Sequence, residues 1–399
     1  MKKKVIVGLS GGVDSSVAAW LLKEQGYEVE GIFMINWHDN RGLLKGNCPF
    51  DEDITFAEMV ARRLKIKLRT ADLSADYRTR VVDYMFSEYE RGRTPNPDIL
   101  CNREIKFDSF VREALNHGAD LIATGHYCRT EVIENEGQKI TRLLAGVDHN
   151  KDQSYFLCQV SQRQLENVIF PVGVLTKPEV RKIAVDLGLA TADRKDSQGI
   201  CFVGKVDLPV FLQQKLKAKT GRVVIIQDTT HFRSWPDGLP EKDAALSDLG
   251  LMTAPHEMDQ SEGLTVGKHS GAHYFTVGQR KGLNIGGFRE PLFVISTDTD
   301  SNIVFVGEGQ EHAGLYRKGL LVKAQEIHWI RPEKAMNAGE CRDYLVRIRY
   351  RQPLQRARIF ALEAGYYIIF EKPQRGITPG QFAAWYDGEE LLGSGVIDR

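Results

Sequence analysis

An apolar run, Val5-Ile6-Val7-Gly8-Leu9, stops at Ser10-Gly11-Gly12-Val13-Asp14-Ser15-Ser16 and gives way at once to helical spacing over Val17 to Gln25. A short apolar run bounded by glycines reads as a buried strand, and a strand turning directly into a helix commits the chain to a layered α/β fold. The alternation continues. Val29 to Met34, Ile66 to Leu73 and Asp120 to Gly125 read as strands, with helical patterns over Ile54 to Leu64, Tyr77 to Glu90 and Phe107 to His117. Such a βαβα series predicts a doubly wound parallel sheet, covered by helices on both faces and binding ligands at the carboxyl ends of its strands.

The loop after the first strand carries the first chemical signal. Gly11 and Gly12 leave backbone N–H groups and a helix N-terminus free to converge on phosphate oxygens, and Ser10 and Ser15 add hydroxyls. No lysine follows the glycines, which argues against γ-phosphate transfer of the kinase kind. Asp14 is placed to hold Mg²⁺ or to orient a serine. On these residues the chain resembles the PP-loop ATP pyrophosphatases, which the resemblance implies bind ATP over Gly8, Leu9, Ser10, Gly11, Gly12, Val13, Asp14 and Ser15. Met34 and Gly125 end the second and fourth strands, where a doubly wound sheet would place adenine.

At 399 residues the chain is too long for one ordinary core. Beyond residue 208 the pattern turns to β, with strand-like runs at Arg222 to Gln227, Tyr274 to Val277, Leu292 to Thr297, Ile303 to Val306, Leu320 to Ala324, Tyr344 to Tyr350, Arg356 to Ala361 and Tyr366 to Phe370. The expected division is a PP-loop domain over 1–207, a small β-rich domain over 208–288 with a long loop or insertion at 228–262, and a barrel-like β domain over 289–399. No run of about 18 apolar residues predicts a membrane span, so the chain is expected in the cytoplasm. Formal charge is zero, which neither supports nor excludes a nucleic-acid partner.

Six cysteines form no Cys-x-x-Cys pair or compact zinc spacing. Cys128, Cys158 and Cys341 lie in apolar or strand-like runs and read as small buried hydrophobes. Cys101 follows Asn96-Pro97-Asp98 in a proline-stiffened loop entering a helix, where the dipole and Arg103 favour thiolate; Asp98 is a candidate acid or base. Cys201 sits in a polar, glycine-containing connection after a helix marked by the capping box Thr176-Lys177-Pro178-Glu179.

Further blocks, Arg93-Thr94-Pro95-Asn96-Pro97-Asp98, Ala123-Thr124-Gly125-His126-Tyr127, Asn150-Lys151-Asp152-Gln153-Ser154, Gly199-Ile200-Cys201-Phe202 and Thr276-Val277-Gly278-Gln279-Arg280-Lys281, make the chain similar to the bacterial tRNA-specific 2-thiouridylases over nearly its whole length. The resemblance implies a tRNA-uridine 2-sulfurtransferase that adenylates the C2 oxygen of a wobble uridine in tRNAs for Lys, Glu and Gln. It implies that Asn96, Pro97 and Asp98 receive the base and that Cys201 carries a persulfide from a cysteine desulfurase or sulfur-relay protein. Cys101 then releases the sulfur, leaving a transient Cys101–Cys201 disulfide, while Lys151, Asp152, Gln153, Arg349 and Tyr350 contact tRNA.

This chemistry is sound on its own terms. A pyrimidine C2 oxygen is a poor leaving group until phosphorylated, and paired thiols can deliver sulfur by exchange. Arg347, Arg349, Tyr350, Arg351, Arg356 and Arg358 read as a backbone-tracking strip. Two alternatives stay open: another PP-loop synthetase with a structural Cys101, and a thiolase whose Asp98, Cys101 and Cys201 hold an iron–sulfur cluster.

Overall fold

A computed structural model of the chain describes residues 2–38, 49–196, 199, 201, 208–230 and 232–399, so Cys48, Ile200 and Phe202 lie outside the described residues. Its first strands are β1 (Lys4–Gly8), β2 (Glu28–Ile35), β3 (Lys67–Asp72) and β4 (Leu121–Ala123), followed by the hairpin β5 (Cys128–Asn135) and β6 (Gln138–Ala145), and by β7 (Val168–Ile169). An all-parallel sheet runs in the order β3-β2-β1-β4-β7. Alternate side chains of β1 serve its two faces. Val5 and Val7 pack with Val17, Ala57 and Val180 from three helices, whereas Ile6 packs with Phe110 and Ala114 from a fourth.

That fourth helix starts at Pro97 rather than Phe107. Pro97–Leu100, Cys101–Ser109 and Phe110–Asn116 run on as one helix, with the middle stretch wound as a π-helix. Asn96 accepts the Ile99 N–H through its side chain at 3.3 Å, Pro97 needs no donor partner, and Asp98 faces the positive dipole end, a complete set of start signals. Cys101 is therefore a helical residue, not a loop residue. Its π-helical setting is of a kind that recurs at functional sites.

The second half contains β8 (Gly221–Ile225), β9 (Leu264–His269), β10 (Leu292–Asp298) and β11 (Ile303–Glu308), joined in the order β10-β11-β8-β9. The remaining strands are β12 (Tyr316–Trp329), β13 (Cys341–Arg347), β14 (Gln355–Leu362), β15 (Gly365–Arg375), β16 (Phe382–Asp387) and β17 (Glu390–Ile397). Because β12 bonds both β15 and β17, these six close into a barrel around Trp385, Ile348, Ile359 and Phe370. The hairpin of the first half joins it: β6 pairs with β17, placing Leu144 opposite Glu390.

Two local expectations change. The run at Tyr274–Val277 is not a strand; Ala272–Tyr274 forms a 3₁₀ turn whose Tyr274 hydroxyl donates to the Leu216 carbonyl at 2.6 Å. Residues 228–262 are not simply a long loop. They include the helix Leu246–Thr253, whose Leu249 packs on Leu321, Phe360, Tyr367 and Ile369 of the barrel wall. Lys318 donates to the Pro236 and Gly238 carbonyls at 2.6 and 2.8 Å, and Arg317 donates to the Thr253 carbonyl at the helix's C-terminal end.

Candidate active site

The strand order reverses between β1 and β4, and the loops leaving these two strands meet there. A Cβ on Gly125 would stand 2.6 Å from the Ser15 nitrogen, so only glycine allows this approach. Gly11 takes φ 75° and presses on the Asp53 carbonyl, which excludes a side chain a second time. Gly12 precedes the helix Val13–Glu24 without capping it by a side chain, leaving the first N–H groups of that helix for a ligand. Ser15 Oγ sits 3.2 Å from both Ser10 Oγ and the Gly12 carbonyl, which holds the loop closed on itself. This cradle suits the phosphates of ATP. Leu9 and Val13 are buried beneath it, and the Met34 side chain packs under Gly8 with Phe110. Any contact of Met34 with a base would therefore come from its main chain.

Asp14 does not fit as a Mg²⁺ ligand. The Lys177 ammonium lies 2.7 and 2.9 Å from its two oxygens, and the Tyr127 hydroxyl donates to it at 2.7 Å. One cation already occupies the position, and among the described residues no three His, Cys, Asp or Glu side chains are grouped to hold a metal.

Lys177 also pairs with Asp196 at 2.8 Å, which Lys151 meets at 2.5 Å. Burial works against the Asp196 carboxylate, but these two lysines prevail and hold its pKa down at about 2. A depressed carboxylate stabilises the fold above its unfolded pKa and loses that contribution as pH falls through the folded value. Asp196→Asn is thus expected to lower the melting temperature at neutral pH, and the difference from wild type should shrink between the ordinary 3.8 and about 2. A gap that stays constant across that acid range in calorimetry would contradict this reading.

The two cysteines face one another. Cys101 is fully buried and Cys201 partly so, and their side chains are within hydrogen-bonding reach of one another. The Asp98 carboxylate accepts the Cys201 N–H at 3.0 Å, and the buried Tyr77 donates its hydroxyl to the Cys201 carbonyl at 2.7 Å. Lys106, one helical turn beyond Cys101, reaches Cys201, and His126 Nε2 lies 3.5 Å from its ammonium.

The electrostatics divide the pair. The hydrogen bond from Cys101 and the charge of Lys106 pull the Cys201 thiol down, against its burial. Burial, then the hydrogen bond to Cys201, pushes the Cys101 thiol well above its ordinary range. Burial also raises Asp98. The expectation that Arg103 activates Cys101 fails: its guanidinium is turned to Glu104 at 2.6 Å and Gln159 at 2.8 Å. Cys128 and Cys158 are buried in the core, as small hydrophobes.

Three family models match the chain in sequence: a tRNA methyl transferase HUP domain over 3–205, a tRNA methyl transferase PRC-barrel domain over 253–308, and an aminomethyltransferase beta-barrel domain over 319–397. Proteins named tRNA-specific 2-thiouridylase MnmA match end to end. The one from Christiangramia forsetii is 55% identical over 99% of this chain and 100% of its own length. That from Flavobacterium johnsoniae is 54% identical over 99% and 100%, and that from Pseudomonas putida (strain W619) is 45% identical over 100% and 95%. The chain belongs to the tRNA-specific 2-thiouridylase family.

For a 2-thiouridylase the RNA-facing residues matter next, and the structure sorts those expected from sequence. Tyr350, in the turn after β13, donates its hydroxyl to the Lys151 carbonyl at 3.4 Å and its ring lies 4.4 Å from that of Phe156, so the 151–153 segment and the barrel rim come together. Asp152, expected at the RNA, is instead buried. It accepts from Gly146, Ser154 and Arg347, the last at 2.5 Å. Gln153 is turned to the Tyr127 main chain at 3.0 Å, and Arg349 donates to the Gly376 carbonyl at 2.8 Å.

The cationic strip is largely neutralised: Arg356 pairs with Glu371 at 2.8 Å and Arg358 with Asp343 at 2.5 Å. Arg347→Met leaves the buried Asp152 with its Gly146 and Ser154 hydrogen bonds but without its ion partner, so the expected loss is about 3–5 kcal/mol of unfolding free energy by denaturant titration. An effect below about 1 kcal/mol, the size of an exposed pair, would contradict the burial.

Asn96 caps its helix and donates to Gln381 of the barrel at 3.3 Å; Gln381 in turn donates to the Thr94 and Pro95 carbonyls at 2.9 and 3.1 Å. The barrel thereby braces the segment that leads into Cys101. Sequence reasoning missed Lys106, Tyr77, Lys177 and the use of His126. Lys106 had one available signal, helical spacing from Cys101 and Asp98 once the helix is started at Pro97.

Proposed function

We propose that this chain catalyses ATP-dependent 2-thiolation of tRNA uridine, with the wobble uridine of tRNAs for Lys, Glu and Gln as its target. One observation carries the reading: the phosphate cradle and the thiols are linked side by side. Gly125 abuts Ser15 of the cradle, the next residue, His126, touches Lys106, and Lys106 reaches Cys201 beside Cys101. A loop that activates an oxygen and a pair of thiols that replaces it would need this proximity.

The cradle N–H groups would hold ATP so that the C2 oxygen of a uridine extruded against Asn96, Pro97 and Asp98 attacks the α-phosphate. The Cys201 thiolate takes the outer sulfur of a donor persulfide, forming one S–S bond as the donor's breaks. The outer sulfur of the Cys201 persulfide then bonds to C2. Cys101 attacks Cys201 Sγ, the electron pair of the broken S–S bond passes to the sulfur on C2, and AMP leaves. The sulfane sulfur is reduced, the two cysteines are oxidised to a disulfide, and two protons are released, so a dithiol reductant must reset the enzyme. Asp98 both fixes Cys201 through its N–H and, with its raised pKa, suits proton exchange at the base.

The cluster alternative is less well supported, since Asp98 is turned to the Cys201 main chain and the three residues do not group as ligands. Incubation with wobble-uridine tRNA, ATP and a persulfide donor should give 2-thiouridine by nucleoside mass spectrometry, with AMP and pyrophosphate in equal amounts. Cleavage of ATP to AMP without thiolated tRNA would overturn the acceptor.

A further inference from the structure

Two thiols in contact with one another pose a problem that proximity alone does not solve. Loading needs one particular sulfur to be anionic while its neighbour stays protonated, because a donor persulfide transferred to the wrong sulfur would leave the relay with no way forward. Among the described residues, the groups facing Cys201 are Cys101, Asp98, Tyr77 and Lys106. Asp98, with its carboxylate against the Cys201 N–H, opposes a thiolate, and Tyr77 is turned to the carbonyl. Among these described groups Lys106 carries the positive charge. We propose that Lys106, projecting from the same helix as Cys101 and steadied by His126, is a catalytic residue that places the negative charge of the thiol pair on Cys201 for sulfur loading.

The geometry gives each neighbour a part. Along the π-helical stretch Cys101–Ser109, both Cys101 and Lys106 are turned to Cys201. Burial disfavours charge on Lys106, but Cys201, Cys101 and Asp98 outweigh it and keep the ammonium protonated. His126 is held neutral by burial and by Lys106 itself, so its Nε2 accepts from the ammonium while Nδ1 faces Thr124 Oγ1 at 2.7 Å. A neutral imidazole fixed in this tautomer orients the ammonium without competing for the anion. Cys101 donates its proton toward Cys201 and remains a thiol until a persulfide stands on Cys201. Attack of the Cys201 thiolate on a donor persulfide moves the charge to the donor's leaving sulfur, and the Cys101 proton is retained for the later step.

This assignment rests on the thiolation reading for its purpose, but its test does not need tRNA. The pH dependence of iodoacetamide alkylation of Cys201 would be followed by peptide mass spectrometry in the full-length protein, for wild type, Lys106→Met and Lys106→Arg. Lys106→Met should move the Cys201 midpoint upward and slow its alkylation at neutral pH by roughly tenfold or more, a shift of at least one pKa unit. Lys106→Arg should restore most of the rate. His126→Phe should give a smaller shift in the same direction. An unchanged Cys201 profile in Lys106→Met, or equal shifts in the Met and Arg variants, would overturn the proposal. If the Met variant does not fold, Lys106→Gln and Lys106→Arg decide it on the same criterion. Failure here with intact tRNA thiolation would remove only the role of Lys106; loss of thiolation in wild type would remove the function itself.

Discussion

Cys201→Ser is expected to lower 2-thiouridine formation on the order of 10⁴-fold or more, the scale of removing a covalent nucleophile. Cys101→Ser should be as inactive in product formation, yet for a different reason. The Cys201 thiolate is the sulfur that the local charges favour, so the Cys101 variant still loads: intact mass should show one added sulfur on the peptide carrying Cys201 after exposure to a persulfide donor. The Cys201 variant should carry none on Cys101, whose thiol is fully buried and pushed up. Loading of Cys101 in the Cys201 variant at wild-type rate would reverse the order of the relay. Both variants keep the phosphate cradle, so binding of ATP should persist in each.

The second large effect is on ATP. Gly125→Val would drive a branched side chain into the Ser15 nitrogen, a contact already at 2.6 Å for a Cβ alone. The helix start and the loop must separate, and misplacement by about 1 Å costs roughly 10²-fold in a reaction that depends on alignment. The expected result is loss of AMP formation by at least that factor. Gly250→Ala, on an open face of the helix Leu246–Thr253, is the control: a Cβ there meets nothing within 4 Å, and activity should hold. Equal activity of Gly125→Val and wild type would remove the switch-point cradle from the account.

The architecture of the first half was legible because each strand and helix buries its own periodic face, as β1 shows by sending Val5 and Val7 one way and Ile6 the other. The glycine cradle was legible for a related reason, since steric need at Gly11 and Gly125 is local to the backbone. What the residues alone did not disclose is what long-range contacts decide. The barrel closes through β12 pairing with β17, and the hairpin β5–β6 lends its edge to β17; neither partner is marked by local pattern. Residues 228–262 lack a period because their few apolar anchors, such as Leu249, are matched to the barrel wall rather than to each other.

Charge was the least legible property. Asp14 was expected to hold Mg²⁺ or orient a serine and is held by Lys177; Asp152 was expected at tRNA and is held by Arg347. Arg103 read as the activator of Cys101, whereas Lys106 stands beside the pair, because a helix begun at Pro97 turns that side chain inward. The Asn96-Pro97-Asp98 start signal was present in the sequence, and reading it as a helix cap rather than a loop would have put Lys106 in the site.

The relay itself is tested most directly by a single turnover without reductant, using enzyme preloaded with one sulfur on Cys201, excess ATP and wobble-uridine tRNA. The protein is then alkylated, digested and mapped. One Cys101–Cys201 disulfide should appear for each 2-thiouridine formed, with both cysteines recovered as free thiols when tRNA or ATP is withheld. Thiolated tRNA accumulating while Cys101 stays alkylatable would contradict the account, because the sulfur would then leave Cys201 without its partner.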